Sequence, residues 1–272
     1  MSGKLYVIGT PIGNLEDLSI RAAKTLEAVD FIAAEDTRVS IKLLNHLGIK
    51  KEMISYHEHN KFSRENIIIS RLLNGESCGI VTDAGMPCIS DPGEDLVRSC
   101  HELGIAVESV PGPSAVITAL ALSGAPTRRF AFEGFLSANK KEREELLTEI
   151  KADKRTLVFY EAPHKLKNTL KSMLDILGDR ELVLAKELTK LHENIEKTTL
   201  LAAFEKYSQT EPKGEFVIIL YPAKSEEKVI TLEMAVAFAK EQVAAGLPIS
   251  AAAKEAAKMS GLKKGDIYKE LI

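Results

Sequence analysis

The chain has 272 residues, of which 45% are hydrophobic and 28% are charged, and its formal net charge at pH 7 is −3. The length is enough for two domains of common size, and the composition is ordinary for a globular protein. A slightly acidic chain is not a general binder of polyanions, so a nucleic-acid partner would need local basic patches.

The first half of the chain alternates apolar runs with segments of helical spacing. The apolar runs predict strands at residues 4–10, 30–36, 53–60, 78–82 and 106–110. The helical segments lie at residues 19–29, 41–48, 64–75, 94–104 and 111–124. Ser19 is the expected N-cap of the first helix, and Gly48 the expected end of the second. This alternation indicates a parallel sheet with helices on both faces.

A second block of strands and helices follows, and a helical tail completes the chain. Strands are predicted at residues 156–162, 181–188 and 214–221, and the clearest helix at 164–178. The tail is rich in alanine and lysine, and its pattern predicts two helices joined at "SGLKKG". We therefore predict an α/β fold with an N-terminal α/β domain (1–137), a C-terminal α/β domain (138–224) and a helix-turn-helix-like tail (225–272).

The cysteines and the lengths of the apolar runs indicate the cellular compartment of the protein. Cys78, Cys88 and Cys100 form no CxxC pair, so neither a disulfide framework nor a zinc knuckle is expected. No run of about 18 apolar residues predicts a membrane span, and the start of the chain lacks the apolar core of a signal peptide. The sequence thus predicts a cytoplasmic protein with no membrane partner.

Loops rich in glycine, proline and acidic residues follow the predicted strands of the first half. They lie at residues 9–17, 35–38, 57–60, 81–97 and 110–115. In an open parallel sheet, ligands bind beyond the carboxyl ends of the strands. Glycine and proline in three of these loops favour a backbone held close to one ligand, although the same residues also serve turn geometry alone.

The composition of these loops narrows the choice of ligand. The stretch "GTPIGNLED" matches neither GxGxxG nor GxxxxGK[ST], and Asp83, Asp91 and Asp95 would repel a triphosphate. No HExxH, EF-hand or CxxC spacing is present, so no metal is predicted. S-adenosylmethionine, which combines a sulfonium, an amino acid and a nucleoside, is one of several ligands that remain. Asp91 is expected to cap the helix that follows, with Glu94 and Asp95 in its first turn.

The order of the motifs adds a resemblance to a known family. The motifs are "VIGTPIGNLEDLSIRA", "AAEDTR", "TDAGMPCISDPGEDLV", "VPGPSA", "FYEAPHK" and "AKELTK". Together they resemble the successive motifs of the tetrapyrrole methylase superfamily, and most closely those of its ribosomal-RNA branch. The resemblance implies two α/β domains, a homodimer, and S-adenosylmethionine held in the cleft between the domains. It also implies 2′-O-methylation of a cytidine ribose in the decoding region of small-subunit ribosomal RNA, as free RNA or within the assembled subunit.

The resemblance, together with the position of Asp83 at a strand end, assigns candidate cofactor-binding residues. In the first domain they are Pro11, Asp83, Ala84, Gly85, Met86, Pro87, Ile89, Ser114 and Ala115. In the second domain they are Glu161, Ala185, Gly214 and Glu215. Much of this contact is expected from the main chain.

Two polar clusters, "EDTR" and "HEHN", supply candidate catalytic residues. Transfer of a methyl group to a ribose hydroxyl benefits from a base near the hydroxyl oxygen. We predict that Asp36 or Glu58 accepts the proton and that Arg38 holds the adjacent phosphate. His57 and His59 are competing candidates for the base. Alternatively, Asp36 caps the following helix and Arg38 pairs with it.

Local basic clusters are candidate RNA contacts, namely Lys61, Arg64, Arg128, Arg129, Lys140, Lys141 and Arg143, with Lys263, Lys264 and Lys269 in the tail. The tail also leaves open a different class of protein, a nucleic-acid-binding regulator that senses a nucleoside-like ligand. A third alternative is a tetrapyrrole C-methyltransferase that acts on a precorrin or uroporphyrinogen. The "EDTR" and "HEHN" stretches and the tail favour the RNA branch.

Overall fold

A computed structural model describes residues 2–223 and 230–272. The chain divides into two compact units, Met1–Ala223 and Lys224–Ile272. The first unit contains both sheets of the protein's described residues, and the second is helical. No helix among the described residues is both long and apolar enough to cross a membrane.

The first sheet is entirely parallel, as the alternating pattern predicts. Its strands are β1 (Lys4–Ile8), β2 (Phe31–Ala34), β3 (Glu52–Ser55), β4 (Cys78–Val81) and β5 (Ala106–Val110), in the order β3-β2-β4-β1-β5. Successive residues point to opposite faces. Phe31 and Ala33 therefore enter one apolar cluster, and Ile32 and Ala34 enter another. Both faces are buried, which explains the nearly continuous apolar runs.

The helices of the first half are α1 (Ile20–Ala28), α2 (Thr37–His46), α3 (Lys61–Leu73), α4 (Glu94–Glu102) and α5 (Ala115–Ser123). The Ser19 hydroxyl accepts the Ala22 N–H at 3.0 Å, so the predicted cap of α1 is confirmed. The predicted cap of α4 is wrong, because Gly93 and not Asp91 precedes that helix. Gly93 has a φ of +131°, and this extra turn leaves Asp91 outside the helix.

The second sheet is mixed. Its strands are β6 (Phe130–Phe135), β7 (Thr156–Glu161), β8 (Glu181–Lys186), β9 (Asn194–Thr199) and β10 (Phe216–Leu220), in the order β6-β7-β10-β8-β9. The pairing of β6 with β7 is parallel, and the other pairings are antiparallel. Helices α6 (Lys140–Glu149), α7 (Pro163–Leu177) and α8 (Leu200–Gln209) accompany it. Because β6 precedes residue 138, this sheet begins before the predicted domain boundary.

Helix α5 links the two halves of the first unit. Its residues Val116, Ala119 and Leu120 pack in one apolar cluster with Val158 and Val217 of the second sheet. The same helix follows directly on the loop after β5 of the first sheet. The carboxyl edge of the first sheet is thereby held next to one face of the second, and a cavity lies between them.

The second unit consists, in its described residues, of α9 (Leu232–Ala244), α10 (Ile249–Ser260) and α11 (Lys264–Lys269). Its core is built mainly from alanine, with Ala239, Ala252 and Ala256 fully buried and Ile267 beside them. Small side chains let the helices approach closely, and Gly261 ends α10 in the left-handed conformation. The helical character of the tail is confirmed.

Candidate active site

Three strand-end loops of the first sheet meet through their backbones. The N–H of Thr10 donates to the carbonyl of Gly85 at 2.9 Å, and the N–H of Gly85 donates back at 3.1 Å. A Cβ atom added to Gly9 would lie 2.6 Å from the Cα of Gly112. The loops after β1, β4 and β5 are therefore fixed to one another at the carboxyl edge of the sheet.

The loop after β4 is constrained by its own backbone. Gly85 and Gly93 have φ values of +93° and +131°, while Cys88 and Ser90 adopt +70° and +60°. A left-handed conformation costs a residue with a side chain roughly 1–2 kcal/mol. Such a loop persists because its surroundings fix it, which suits a ligand-gripping segment better than a simple connection.

A cavity of about 540 Å³ lies between the loops of the first sheet and the strand ends of the second. Ten of the thirteen predicted cofactor residues line it, namely Asp83, Ala84, Gly85, Met86, Ile89, Ser114, Ala115, Glu161, Ala185 and Glu215. Pro11 lines a smaller neighbouring cavity, and Pro87 and Gly214 line neither. The structure thus brings most of the predicted set together.

Carboxylates dominate the first-sheet side of the cavity. Glu35 accepts the hydroxyl of Thr82 at 2.5 Å, and Asp83 accepts the backbone N–H of Asp36 at 3.2 Å. Burial raises the pKa of Asp91 to about 6, and repulsion from Glu35 adds to the effect. Burial and the same neighbour also raise the pKa of Asp83. This side of the cavity is therefore suited to positive charge on a ligand.

Glu35 and Asp91 are absent from the predicted cofactor set, yet both line the cavity. Glu35 directly follows β2 and begins the "EDTR" stretch, so its position at a strand end had already marked it as a residue of the site, although not as a cofactor contact. For Asp91 the sequence gives no sign of a role in the site. Pro92 and the helix that follows make Asp91 look like a helix N-cap.

On the second-sheet side, carboxylates accept hydrogen bonds from backbone N–H groups and from a hydroxyl. Glu161 is buried, and its carboxylate accepts the N–H of Ala162 at 2.8 Å and the hydroxyl of Thr169. Glu187 accepts the N–H of Glu215 at 3.1 Å. A Cβ atom on Gly214 would lie 2.4 Å from the Glu187 carboxylate, so Gly214 makes room for this contact and does not itself face the cavity.

Asp36 and Arg38 pair with each other at the start of α2. Asp36 caps the helix by accepting the N–H of Arg38 at 2.8 Å, and the Arg38 guanidinium lies 2.6 Å from the same carboxylate. These bonds hold the pKa of Asp36 at about 2. The contacts are those of the capping alternative, and they disfavour Asp36 as a base. Neither residue lines either of the two cavities.

The "HEHN" cluster forms a self-contained turn after β3. Asn60 accepts the N–H of His57 at 2.9 Å and donates to the carbonyl of Ser55 at 3.1 Å. Glu58 forms an ion pair of 2.7 Å with Lys61. The rings of His57 and His59 are 6.0 Å apart, and neither histidine lines the two cavities. The structure does not bring this cluster to the predicted cofactor residues.

The part of the chain that the structure describes was compared with the ligand sets that metal ions need. No group of three or more histidine, cysteine, aspartate or glutamate side chains there could hold a metal ion. Of the cavity carboxylates, Glu35 accepts from the Thr82 hydroxyl and the Asp83 N–H, and Asp83 accepts from the Asp36 N–H.

Comparison with known proteins identifies relatives along nearly the whole chain. A "Ribosomal RNA small subunit methyltransferase I" from Halalkalibacterium halodurans is 46% identical over 98% of this chain and 93% of its own length. A protein of the same name from Escherichia coli O157:H7 is 43% identical over 98% of this chain and 94% of its own. A third, from Thermotoga maritima, is 48% identical over 80% of this chain and 98% of its own, so it lacks a counterpart to about a fifth of this chain.

Solved structures share the fold over about four fifths of the chain. A diphthine synthase superposes with a TM-score of 0.65 at 12% identity, covering 80% of this chain and 90% of its own. A uroporphyrin-III-C-methyltransferase from Thermus thermophilus superposes with a TM-score of 0.57 at 18% identity. The superposition covers 80% of this chain and 94% of that protein's chain. At such identities the likeness concerns the fold.

The family comparison agrees with the motifs, the fold and the cavity. The sequence profile of the Tetrapyrrole (Corrin/Porphyrin) Methylases matches residues 4–203. Members of that family use S-adenosylmethionine as methyl donor. With a match over most of its length, and with relatives more than 40% identical along almost all of it, this chain belongs to the tetrapyrrole methylase family.

Proposed function

We propose that this protein is a ribosomal RNA methyltransferase that 2′-O-methylates a cytidine ribose in the decoding region of the small subunit. The observation that carries the proposal is the 46% identity over 98% of the chain to a protein named as a small-subunit ribosomal RNA methyltransferase. The match includes the tail, which lies outside the family profile that ends at residue 203. The cytidine and the 2′-hydroxyl come from the motif resemblance.

The residues of the large cavity fit S-adenosylmethionine. Its volume of about 540 Å³ lies within the usual range for ligand sites, roughly 300–1,000 Å³. Asp83, Asp91 and Glu35 would offset the positive charges of the sulfonium and the ammonium. The first turn of α5, at Ser114 and Ala115, would offer backbone N–H groups to the carboxylate. Ala185 and Glu215 would enclose the nucleoside from the second sheet.

The cofactor would supply a methyl group already activated by the sulfonium, so the chain's main task is to position the acceptor. Positioning alone is worth up to about 7–11 kcal/mol. We propose Asp83 as the group that accepts the hydroxyl proton, because its carboxylate faces the cavity and its pKa is raised. A base of this kind adds roughly 10²–10⁴-fold. Asp36 is less suited, because Arg38 holds its pKa at about 2.

Exposed arginines support an RNA substrate. Arg128 and Arg129 are exposed ahead of β6, and the Arg38 side chain is 88% exposed at the start of α2. Arg38 is paired with Asp36 but remains open to solvent, whereas the Lys61 side chain is 18% exposed and pairs with Asp95 at 2.7 Å. Arg143 donates to the carbonyl of Ser137 at 2.9 Å. We propose that the first group contacts phosphates and that the second is mainly structural.

The homodimer and the cytoplasmic location remain predictions. Exposed apolar side chains on α5, Ile117 and Leu122, support self-association, because burial of such residues between two copies would be favourable. An RNA substrate within the ribosomal subunit would place the protein in the cytoplasm.

Methyl transfer to small subunits that lack the modification tests the function. Subunits and protein-free small-subunit RNA are each incubated with the protein and labelled S-adenosylmethionine, and the methyl group is mapped by nuclease digestion and mass spectrometry. A 2′-O-methylcytidine in the decoding region is the expected product. Label on a base, on another nucleotide or on no RNA would contradict the proposal.

A further inference from the structure

A second cavity of about 190 Å³ adjoins the large one on the side of the first sheet. It lies between the loop after β1 and helix α2. Thr82 and Asp83 line both cavities, so the two spaces are neighbours across these residues. The smaller cavity has about a third of the volume of the larger one, which is too little for a ligand built of an amino acid and a nucleoside.

The walls of the small cavity are apolar and its end is polar. Pro11 and Leu15 form one wall, and Val39 and Leu43, one helical turn apart on α2, form the other. The Leu15 side chain is 47% exposed, so this wall is open to solvent. A flat heteroaromatic ring suits such a space, since apolar side chains cover its faces and polar groups contact its edge.

Two groups of opposite charge line the small cavity, Asp83 and Lys42. The Asp83 carboxylate lies at the border with the large cavity and is oriented by the N–H of Asp36 at 3.2 Å. Lys42, which is exposed, stands on the α2 wall. A negative group toward the reacting centre and a positive group on the outer wall match a nucleotide, whose hydroxyl would approach Asp83 and whose phosphate would approach Lys42.

We infer that the small cavity receives the base of the target nucleotide, turned out of the RNA, so that its ribose lies at the wall formed by Thr82 and Asp83. This inference rests on the proposed function and extends it, because it assigns the acceptor a site separate from the cofactor. Enzymes that act on one nucleotide in a structured RNA commonly need to extract it from its stack.

A pair of tryptophan substitutions on α2 tests the inference. Val39→Trp fills the small cavity, whereas Ile41→Trp adds the same ring to the same helix at a position that is exposed and lines neither cavity. Both variants are expected to bind S-adenosylmethionine within about twofold of wild type, which also establishes that they fold. Val39→Trp is expected to lose at least 100-fold in single-turnover methyl transfer to small subunits, and Ile41→Trp to stay within threefold. Near-wild-type transfer by Val39→Trp would overturn the inference.

A binding measurement separates this inference from the proposed function. Saturation-transfer NMR with free cytidine and cofactor-loaded protein is expected to show transfer to the base protons for wild type and Ile41→Trp, but not for Val39→Trp. If the wild type methylates no small-subunit RNA, the proposed function fails, and the NMR comparison still decides whether a base occupies this cavity. Equal signals from both variants, or none from the wild type, would reject base binding there.

Discussion

Thr10 and Gly85 exchange two backbone hydrogen bonds, of 2.9 and 3.1 Å, between the loops that follow β1 and β4. The pair forms an isolated antiparallel bridge in a sheet whose strands are otherwise parallel. Gly85 makes the bridge with a φ of +93°, and a Cβ atom there would lie 3.4 Å from Ile12, another residue that lines the large cavity. The bridge therefore places a residue without a side chain at the cavity wall.

Gly85→Val should abolish cofactor binding, because a branched side chain would enter the cavity and strain the backbone. In wild type, cofactor at about 100 times its Kd should stabilise the fold by about 2.7 kcal/mol, which a thermal shift detects. Gly48→Val is the matched control, since Gly48 has a φ of +69° but open space around its missing side chain. Both variants should lose stability, and only Gly85→Val should lose the shift. A normal shift in Gly85→Val would argue against the assigned cavity.

Asp91→Asn should stabilise the protein without cofactor at neutral pH. The folded-state pKa of Asp91, at about 6, lies above the ordinary value near 4. Between these values the folded protein holds a proton that the unfolded chain releases, so this stabilising contribution is lost as pH rises through about 6. The gain from Asn should therefore be larger at about pH 7.5 than at about pH 4.5 in urea unfolding. Asp17→Asn, which removes an exposed carboxyl, controls for the change in net charge. If Asp91→Asn stabilises the protein equally at both pH values, burial of the Asp91 carboxylate is not the cause.

The same titration should govern cofactor affinity. An ionised Asp91 would offset the sulfonium and ammonium charges better than its neutral form, so affinity should rise as pH increases through about 6. Calorimetric titration with S-adenosylmethionine across this range is the measurement. Asp91→Asn should flatten the pH dependence. If the affinity of the wild type for S-adenosylmethionine is constant from about pH 5 to 8, the charge of Asp91 does not contribute to cofactor binding.

Asp83→Asn should slow methyl transfer by about 10²-fold or more, an effect larger than the loss of cofactor affinity that follows from removing its charge. Single-turnover rates across pH compare it with the other candidates, Asp36→Asn, Glu58→Gln, His57→Ala and His59→Ala. A histidine base would instead give a rate that rises through about pH 6–7 and loses that step in the alanine variant. If all of these variants keep near-wild-type rates, no base operates and positioning carries the reaction.

Arg38→Ala should chiefly weaken RNA binding, and Arg38→Lys should restore it poorly, because lysine cannot form a two-pronged phosphate contact. The structure adds a second expectation. Loss of the ion pair that holds the Asp36 carboxylate should raise the pKa of Asp36 toward its ordinary range. Filter binding measures the affinity for small subunits, and cofactor titration is the control that would reveal a folding defect. Equal binding of small subunits by wild type and Arg38→Ala would contradict an RNA contact at Arg38.

Removal of residues 225–272 should leave cofactor binding intact and weaken binding to the small subunit. The chain up to Ala223 forms a compact unit that contains both sheets and the large cavity. Thermal shift with cofactor and sedimentation with subunits are the two readouts. An insoluble truncated protein would mean that the tail belongs to the core or to a dimer interface.

Signals along the chain are enough to specify the local elements and the parallel first sheet. Alternating apolar runs, the Ser19 cap and the strand-end glycines are signals confined to a few neighbouring residues, and they specify backbone conformation directly. Seven of the ten predicted cofactor residues that line the large cavity come from loops of the first sheet, because strand ends of a parallel sheet meet at one edge.

Which polar groups face the cavity depends on packing between distant segments of the chain. Asp36 and Glu58 stand in motifs that look catalytic, yet they are engaged by Arg38 and Lys61, close neighbours in sequence. Asp91 looks like a helix cap, yet the turn at Gly93 and the approach of the second sheet enclose it in the cavity. The packing of α5 against Val158 and Val217 brings that sheet into place. Burial and charge repulsion arise from contacts between distant segments, and a pattern read along the chain does not contain them.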